Sequence, residues 1–134
     1  MGATLTQSRD IFSALGDWLR LRLACCLLSQ PEGLCVCELV DALDVTQPNV
    51  SQHLKQMKSA GLVDERRDGR FIYYRLRDAQ HPFLNSLRCC LESCCCAPEV
   101  QQDLGRLRQR LELRRDGKCV VGFRPASRRV AQQA

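Results

Sequence analysis

The sequence of 134 residues predicts a mainly α-helical fold that contains one β-hairpin. Apolar residues recur at helical spacing over most of the chain, which is typical of amphipathic helices. After Gly61 the pattern changes to two runs of strand-like residues, the second rich in aromatic side chains. The dipeptide Asp68-Gly69 lies between these runs, and Asp-Gly is a favoured two-residue hairpin turn.

Four helices are predicted before the hairpin. The first covers Leu5–Leu15, and Asp17 caps a second that ends at the Pro- and Gly-containing residues 30–33. A short helix follows over Val36–Leu43. The fourth covers residues 46–60, because Thr46 is a good N-cap and Gly61 ends the helical pattern.

The hairpin is predicted from residues 62–66 and 70–76, and two further helices follow it. His81-Pro82 opens the first of these, Ala97-Pro98 ends it, and the last runs on to about Leu111. We expect residues 1–97 to form one domain, 98–115 a C-terminal helix and 116–134 a basic tail with little fixed structure.

This order of elements is the layout of a winged helix-turn-helix. Val36–Leu43 and residues 46–60 would be the two helices of that motif, and residues 66–70 the wing. In such a fold the second helix of the motif, here residues 46–60, lies in the major groove of DNA. The predicted partner is therefore double-stranded DNA.

The polar face of the fourth helix supplies candidate DNA-contacting residues. Val50, Leu54 and Met57 recur at helical spacing and would face the core. Gln and Asn side chains can pair with adenine, whereas Ser and Lys suit phosphate contacts. Taken alone, the helix is better explained as a surface helix with a solvated polar face, but the short helix before it and the basic hairpin after it favour DNA. The candidates are Gln47, Asn49, Ser51, Gln52, His53, Lys55, Lys58 and, on the wing, Arg66, Arg67 and Arg70.

The charge of the chain agrees with a nucleic-acid partner. The formal net charge is +5, and nine of the basic residues crowd the last thirty positions. For the residues past Gly117 we favour the alternative of a solvated, partly disordered tail.

The cysteines are expected to be reduced. The sequence has no apolar run of about twenty residues and no signal peptide at its start, which predicts a cytoplasmic protein without a membrane partner. In that compartment the ten cysteines are not expected to form structural disulfides, which leaves metal binding, redox sensing and packing.

Two cysteine groups are candidate ligands for a soft metal or metalloid. Cys35 and Cys37 would point apart on a regular helix, so they can share an ion only where the short helix begins irregularly. Drawing both sulfurs onto one ion would then distort the first turn of the motif. Cys25-Cys26 lies in an apolar run and is interpreted as packing, and Cys119 stands alone. The candidate ligands are Cys35, Cys37, Cys94, Cys95 and Cys96.

Catalytic patterns are missing from the sequence. It contains neither a Cys-x-x-Cys motif nor a Cys-x5-Arg loop, and nothing orders a Cys–His pair. We therefore do not expect an enzyme.

The combined motifs resemble the ArsR/SmtB family of metal-sensing repressors over residues 11–91. The resemblance is carried by Leu34-Cys35-Val36-Cys37-Glu38-Leu39, by residues 46–54 and by Tyr73-Tyr74-Arg75-Leu76. It implies a homodimer joined through the first and fifth helices, near residues 6–15 and 82–95. It also implies repression of a resistance operon, with release from DNA when arsenite or antimonite, As(III) or Sb(III), binds.

The resemblance leaves the complete ligand set open. The Cys-Val-Cys element matches the family's thiolate site, but the position where arsenite-responsive members carry a third cysteine is Val40. A third ligand must come from elsewhere, or two thiols suffice, or Cys94–Cys96 is the sensor. The alternatives are a repressor of the same fold that responds to cadmium or lead, one with a redox or persulfide switch, and a cysteine-rich metal carrier that does not bind DNA.

Overall fold

The computed structural model describes residues 4–77 and 82–124. It has the predicted order of elements, with one additional strand. The helices are α1 (Leu5–Leu15), α2 (Trp18–Ser29), α3 (Val36–Leu43), α4 (Gln47–Ser59), α5 (Pro82–Cys94) and α6 (Pro98–Leu111), and the strands are β1 (Leu34–Cys35), β2 (Val63–Asp68) and β3 (Phe71–Leu76).

The predicted caps are found at the starts of α2 and α4. The Asp17 carboxylate accepts hydrogen bonds from the backbone N–H groups of Leu19 and Arg20, both at 3.0 Å. These bonds, that to Arg20 foremost, lower the pKa of Asp17. Thr46 is the N-cap of α4, but its side chain makes no capping bond. Pro48, in the first turn of α4, has no N–H to offer it.

The sheet differs from the prediction by its short third strand. β3 is the central strand, with β2 and β1 antiparallel on either side. β1 pairs Leu34 with Tyr74 and Cys35 with Tyr73. Only two residues form this strand, too few for alternation to predict it. It fixes the start of α3 against β3.

One apolar core joins the helices to the sheet. The predicted core residues of α4, Val50, Leu54 and Met57, are fully buried in it. Leu23 and Leu27 of α2 pack into the same cluster. Cys25 and Cys26 are also fully buried, as expected of packing residues. None of the helices within the described ranges combines the length and apolar character needed to cross a bilayer.

The expectation of little fixed structure from Asp116 onward is wrong for residues 116–124. Helix α6 ends at Leu111, as the apolar spacing predicted and before the expected boundary at residue 115, and the chain then turns back along α3 and β3. Cys119 is buried there, and Arg124 forms an ion pair with Asp41 of α3. We call residues 115–124 the C-terminal strap. Residues 125–134 of the predicted tail lie outside the described residues, as does His81.

Candidate thiolate centre and nucleic-acid interface

Three cysteines converge at the start of α3. The Sγ atoms of Cys35, Cys37 and Cys119 all lie within 4.8 Å of one another. The Cys37 and Cys119 sulfurs are 3.6 Å apart. The three residues are only 2%, 3% and 4% exposed, so the cluster is closed to bulk solvent in this conformation.

The strand-to-helix transition brings Cys35 and Cys37 together. Cys35 is the last residue of β1 and the N-cap of α3, with extended backbone angles, whereas Cys37 lies in the first helical turn. This is the irregular start that the spacing of the two cysteines required. The backbone N–H of Cys35 donates to Glu38 Oε1 at 2.9 Å, which ties the strand end to the helix.

A tight turn brings Cys119 to the other two thiols. Asp116 and Gly117 both have left-handed backbone angles, φ 53° and 73°, and Arg115 and Lys118 pair across them. Positive φ at both central positions is typical of a type I′ turn, in which glycine is favoured. Beyond the turn the Cys119 N–H donates to the Tyr73 hydroxyl at 2.9 Å. Tyr73 is also the cross-strand neighbour of Cys35, so it borders two of the three cysteines.

Buried ion pairs fasten α6 and the C-terminal strap to α3. Arg114 donates to both oxygens of the fully buried Glu38, at 2.7 and 2.8 Å. Arg110 Nε lies 2.8 Å from Asp41 Oδ2, and Arg124 donates to the same oxygen at 2.8 and 3.0 Å. Part of the basic C-terminal cluster is therefore structural. Removing one partner of such a pair typically costs about 3–5 kcal/mol.

The pKa values of the three thiols are shifted in opposite directions. Hydrogen bonds from Cys35 and Cys37 hold the pKa of Cys119 well below its ordinary value. The same contacts raise the pKa of Cys35, and that of Cys37 to about 11. Of the three, Cys119 is therefore the thiol that most readily loses its proton. Thiolates are the form that binds metals, so the cluster is partly prepared for a soft ion.

The donor set and spacing fit an ion held by three sulfurs. Two thiolates that bind one ion at about 2.3 Å in tetrahedral geometry are about 3.8 Å apart. The Cys37–Cys119 distance of 3.6 Å is close to this value. Within the described ranges no His, Asp or Glu belongs to the cluster. The nearby Glu38 is already bound by Arg114.

The other predicted ligands lie elsewhere. Cys94 and Cys95, at the end of α5, are half-buried, and Cys96 beyond it is exposed. Burial raises the pKa of the neighbouring Cys25 on α2 to about 12, and its contact with Cys95 adds to the shift. The structure thus does not bring Cys94, Cys95 or Cys96 to Cys35 and Cys37. The third cysteine of the cluster is Cys119, which the sequence pattern showed as isolated.

The predicted DNA-contacting face of α4 is largely open. Its exposed candidates are Gln47, Asn49, Gln52, Lys55 and Lys58, while Ser51 and His53 are half-buried. His53 turns inward, with Nδ1 3.1 Å from an Arg20 nitrogen and 3.9 Å from the Asp17 carboxylate. Arg20 also contacts Gln56.

The wing candidates also make contacts within the chain. Arg66 and Arg67 are exposed, and the Arg66 guanidinium lies 5.8 Å from the centre of the Tyr73 ring. Arg70 donates to the Val120 carbonyl at 3.2 Å. Lys58 of α4 pairs with Glu65 of β2 at 2.7 Å, which connects the candidate recognition helix to the wing.

Comparison with known proteins agrees with this architecture. Residues 19–65, from α2 into β2, match the family model described as bacterial regulatory protein, arsR family. The crystal structure of the transcriptional repressor BigR from Xylella fastidiosa is 30% identical with a TM-score of 0.56. The match covers 68% of this chain and 88% of that one. The chain belongs to the arsR family.

Curated relatives of this arsR-family chain include differently named regulators. The arsenic resistance transcriptional regulator ArsR1 of Pseudomonas putida is 44% identical over 66 residues, 49% of this chain and 51% of that one. The HTH-type transcriptional repressor SmtB of Mycobacterium tuberculosis is 49% identical over 75 residues, 52% of this chain and 56% of that one. The chain thus spans about half the length of the curated relatives it matches.

Family membership confirms two predictions. The fold is a winged helix-turn-helix, and the family consists of transcriptional regulators rather than enzymes. The matched segment ends at residue 65 and leaves out Cys119. The convergence of Cys119 with Cys35 and Cys37 is therefore an observation of this structure, which the family match does not contain.

Proposed function

We propose that this chain is a repressor that binds operator DNA as a homodimer and leaves it when As(III) or Sb(III) binds Cys35, Cys37 and Cys119. The observation that carries the proposal is the buried three-sulfur cluster at the first turn of α3, the first helix of the DNA-binding motif. The arsenic-resistance name of one relative agrees with this choice of ion.

Charge favours a trivalent ion over a divalent one. Three thiolates carry three negative charges, which a trivalent ion neutralises completely. A divalent ion would leave one uncompensated charge in a cluster that is almost fully buried, and buried charge is costly. Zn(II) also prefers four ligands in closed sites, whereas this cluster offers three. As(III) and Sb(III) satisfy both conditions.

The location of the cluster provides a route to the DNA-binding surface. The sulfurs lie within 4.8 Å of one another, so drawing all three onto one ion needs shifts on the order of 1 Å. Cys35 and Cys37 transmit such a shift to the start of α3, which packs against α4. A close-packed core has little free space to absorb a small displacement, so a shift of one helix moves the helices packed against it. The expected result is a change in the position of α4 relative to the DNA.

Exposed apolar residues on α1 support dimerisation. Leu5 is 88% and Phe12 57% exposed, although both are large apolar side chains. Phe12 contacts Phe83 of α5 edge to face, with ring centres 5.4 Å apart. This surface joins the two helices that the sequence resemblance implies for the interface. A second copy of the chain would cover it.

A DNA-release titration tests the proposal. Fluorescence anisotropy on the chain's own promoter DNA, at fixed salt, would compare arsenite, antimonite, Cd(II), Pb(II) and no addition. We expect arsenite and antimonite to release wild-type protein and a Cys35→Ser/Cys37→Ser variant to stay bound. A Cys94→Ser/Cys95→Ser/Cys96→Ser variant is the matched control and should respond like wild type. Release by Cd(II) or Pb(II) alone, or loss of response in the control only, would overturn the proposed inducer or its site.

A thiol redox switch is the second candidate function, favoured by the 3.6 Å Cys37–Cys119 contact and the lowered pKa of Cys119. The Cys119 thiolate would attack a peroxide O–O bond, giving sulfenic acid and hydroxide. The Cys37 thiol would then attack the sulfenic sulfur to form the disulfide, its proton leaving with the sulfenic oxygen as water, while the hydroxide from the first step takes a proton from the solvent. Release by peroxide but not arsenite, with a mass loss of two hydrogens, would identify this switch.

A further inference from the structure

The C-terminal strap begins with a second basic turn beside the wing. Arg115 and Lys118 hydrogen bond to each other through their backbones in both directions, at 2.9 and 3.0 Å. Asp116 and Gly117 form the two-residue tip between them. Both basic side chains are exposed, so the turn presents two cations to solvent.

Three contacts hold this turn against the wing. Lys118 Nζ lies 3.1 Å from the Asp68 carboxylate at the end of β2. Arg70, in the wing turn, donates to the Val120 carbonyl, and Tyr73 on β3 accepts from the Cys119 N–H. The two turns therefore lie side by side, attached through both strands of the hairpin and the turn between them.

Together the two turns form a strongly basic surface. Arg66, Arg67 and Arg70 come from the wing, and Arg115 and Lys118 from the strap. Asp68 and Asp116 are the acidic residues of the two turns. Grouping like charges on one surface is unfavourable for the free protein and becomes favourable against a polyanion. This basic surface is continuous with the wing, which is itself predicted to contact DNA. Duplex DNA is therefore a better partner for it than an acidic protein.

We propose that the Arg115–Lys118 turn is a second phosphate-binding element, which contacts the DNA backbone beside the wing. The proposal rests on the proposed DNA-binding function and adds to it a surface outside the winged helix-turn-helix. Phosphate contacts position a protein on DNA without reading sequence, and each one contributes to the salt dependence of binding. The turn therefore strengthens binding to operator and unrelated DNA alike.

The salt dependence of binding tests this element. Anisotropy titrations between 50 and 200 mM salt would compare wild type with Arg115→Gln, Lys118→Gln and the double variant. Each removed phosphate contact should reduce the slope of log K against log salt by about 0.9. Each substitution removes two contacts per dimer, so a single variant loses about 1.8 and the double variant about 3.6. Raising the salt concentration across this range lowers the affinity by a certain factor, and each lost contact makes that factor about 3- to 4-fold smaller. Lys118→Arg, which keeps the charge, should retain the wild-type slope.

Two further variants separate a direct contact from a general effect. Arg108→Gln removes an exposed charge on α6, which packs against α2 and α3, and should leave the slope unchanged. Asp68→Asn removes the carboxylate that competes for Lys118 and should strengthen binding. Arsenite binding by each variant would show that the neighbouring Cys119 is still in place.

The outcomes distinguish this proposal from the proposed function. If wild type binds DNA and Gln52→Ala weakens operator binding, but the double strap variant keeps the wild-type slope, the second phosphate-binding element is wrong and the repressor function stands. If wild type does not bind DNA at any salt concentration, both are wrong. Equal slope changes in Arg108→Gln and Lys118→Gln would also refute a specific contact at the turn.

Discussion

The sulfur of Cys119 lies 3.6 Å from the sulfur of Cys37, although 82 residues separate them along the chain. Cys37 belongs to the helix-turn-helix and Cys119 to the C-terminal strap, so the contact joins the DNA-binding motif to the end of the described chain. Closing so long a loop costs conformational entropy. The buried ion pairs of α6 and the strap with α3 offset that cost before any ion binds.

Replacing Cys119 should abolish the response to arsenite while DNA binding remains. Cys119→Ser removes one of three sulfur ligands but touches neither α4 nor the wing arginines. We expect arsenite to leave the variant bound to DNA in an anisotropy assay and mass spectrometry to show no stable three-thiol adduct. Cys96→Ser, an exposed cysteine outside the cluster, is the control. Release of Cys119→Ser at the wild-type arsenite concentration would rule out Cys119 as a ligand.

Tyr73 should act as a positioning residue for the strap. Its hydroxyl accepts the hydrogen bond of the buried Cys119 N–H, and Tyr73→Phe removes that acceptor. A buried donor without a partner costs about 1–3 kcal/mol, which opposes docking of the strap, so arsenite affinity should fall by up to roughly 150-fold. Competition with a dithiol chelator would measure this change.

Tyr74→Phe, on the same strand, is the matched control for Tyr73→Phe. It removes a hydroxyl that interacts with Glu65 rather than with the strap. We expect its arsenite affinity to equal that of wild type. An equal loss of arsenite affinity in both variants would mean that β3 as a whole, and not the Tyr73–Cys119 bond, positions the site.

The Glu38–Arg114 pair should be required for stability. Arg114→Met leaves the fully buried Glu38 carboxylate without its guanidinium, which should lower the free energy of unfolding by about 3–5 kcal/mol. Glu38→Gln/Arg114→Met removes both charges and should recover part of that loss. Urea denaturation followed by circular dichroism would measure both, with Arg108→Met as an exposed control. An Arg114→Met variant as stable as Arg108→Met would contradict the structural role of the pair.

The sequence predicted the winged helix-turn-helix because its elements are local. The bounds of α1 and α3 match the predicted ranges, since each depends on apolar spacing and nearby residues. The Cys35 and Cys37 pair was identifiable for the same reason. Its geometry depends on one strand-to-helix transition, within two residues of the chain.

The strap could not be predicted because long-range pairing determines its position. Arg106, Arg110 and Arg114 repeat every four residues and therefore share one face of the chain if it is helical. This face meets Glu38 and Asp41, which are three residues apart on α3. The repeat was visible in the sequence, but its acidic partners lie far away in the chain. Without this pairing the basic residues looked solvated and Cys119 looked isolated.

The free energy of unfolding at alkaline pH should depend on the protonation of the thiol cluster. The contact with Cys119 raises the pKa of Cys37 from 9.0 to about 11. A raised folded-state pKa gives stability that is complete below the unfolded-state pKa and is lost as pH rises toward the folded value. The contribution of Cys37 to the free energy of unfolding should therefore decrease between about pH 9 and pH 11. Urea denaturation at a series of pH values would measure it.

A Cys119→Ala variant tests this contribution, because it removes the neighbour that raises the pKa of Cys37, and of Cys35 with it, while both thiols remain. The difference in unfolding free energy between wild type and variant should shrink across the same pH window. Lysines and tyrosines away from the cluster also titrate at high pH, but they do so in both proteins and cancel in the difference. A difference that stays constant from pH 9 to pH 11 would show that the Cys37 proton is not held by Cys119.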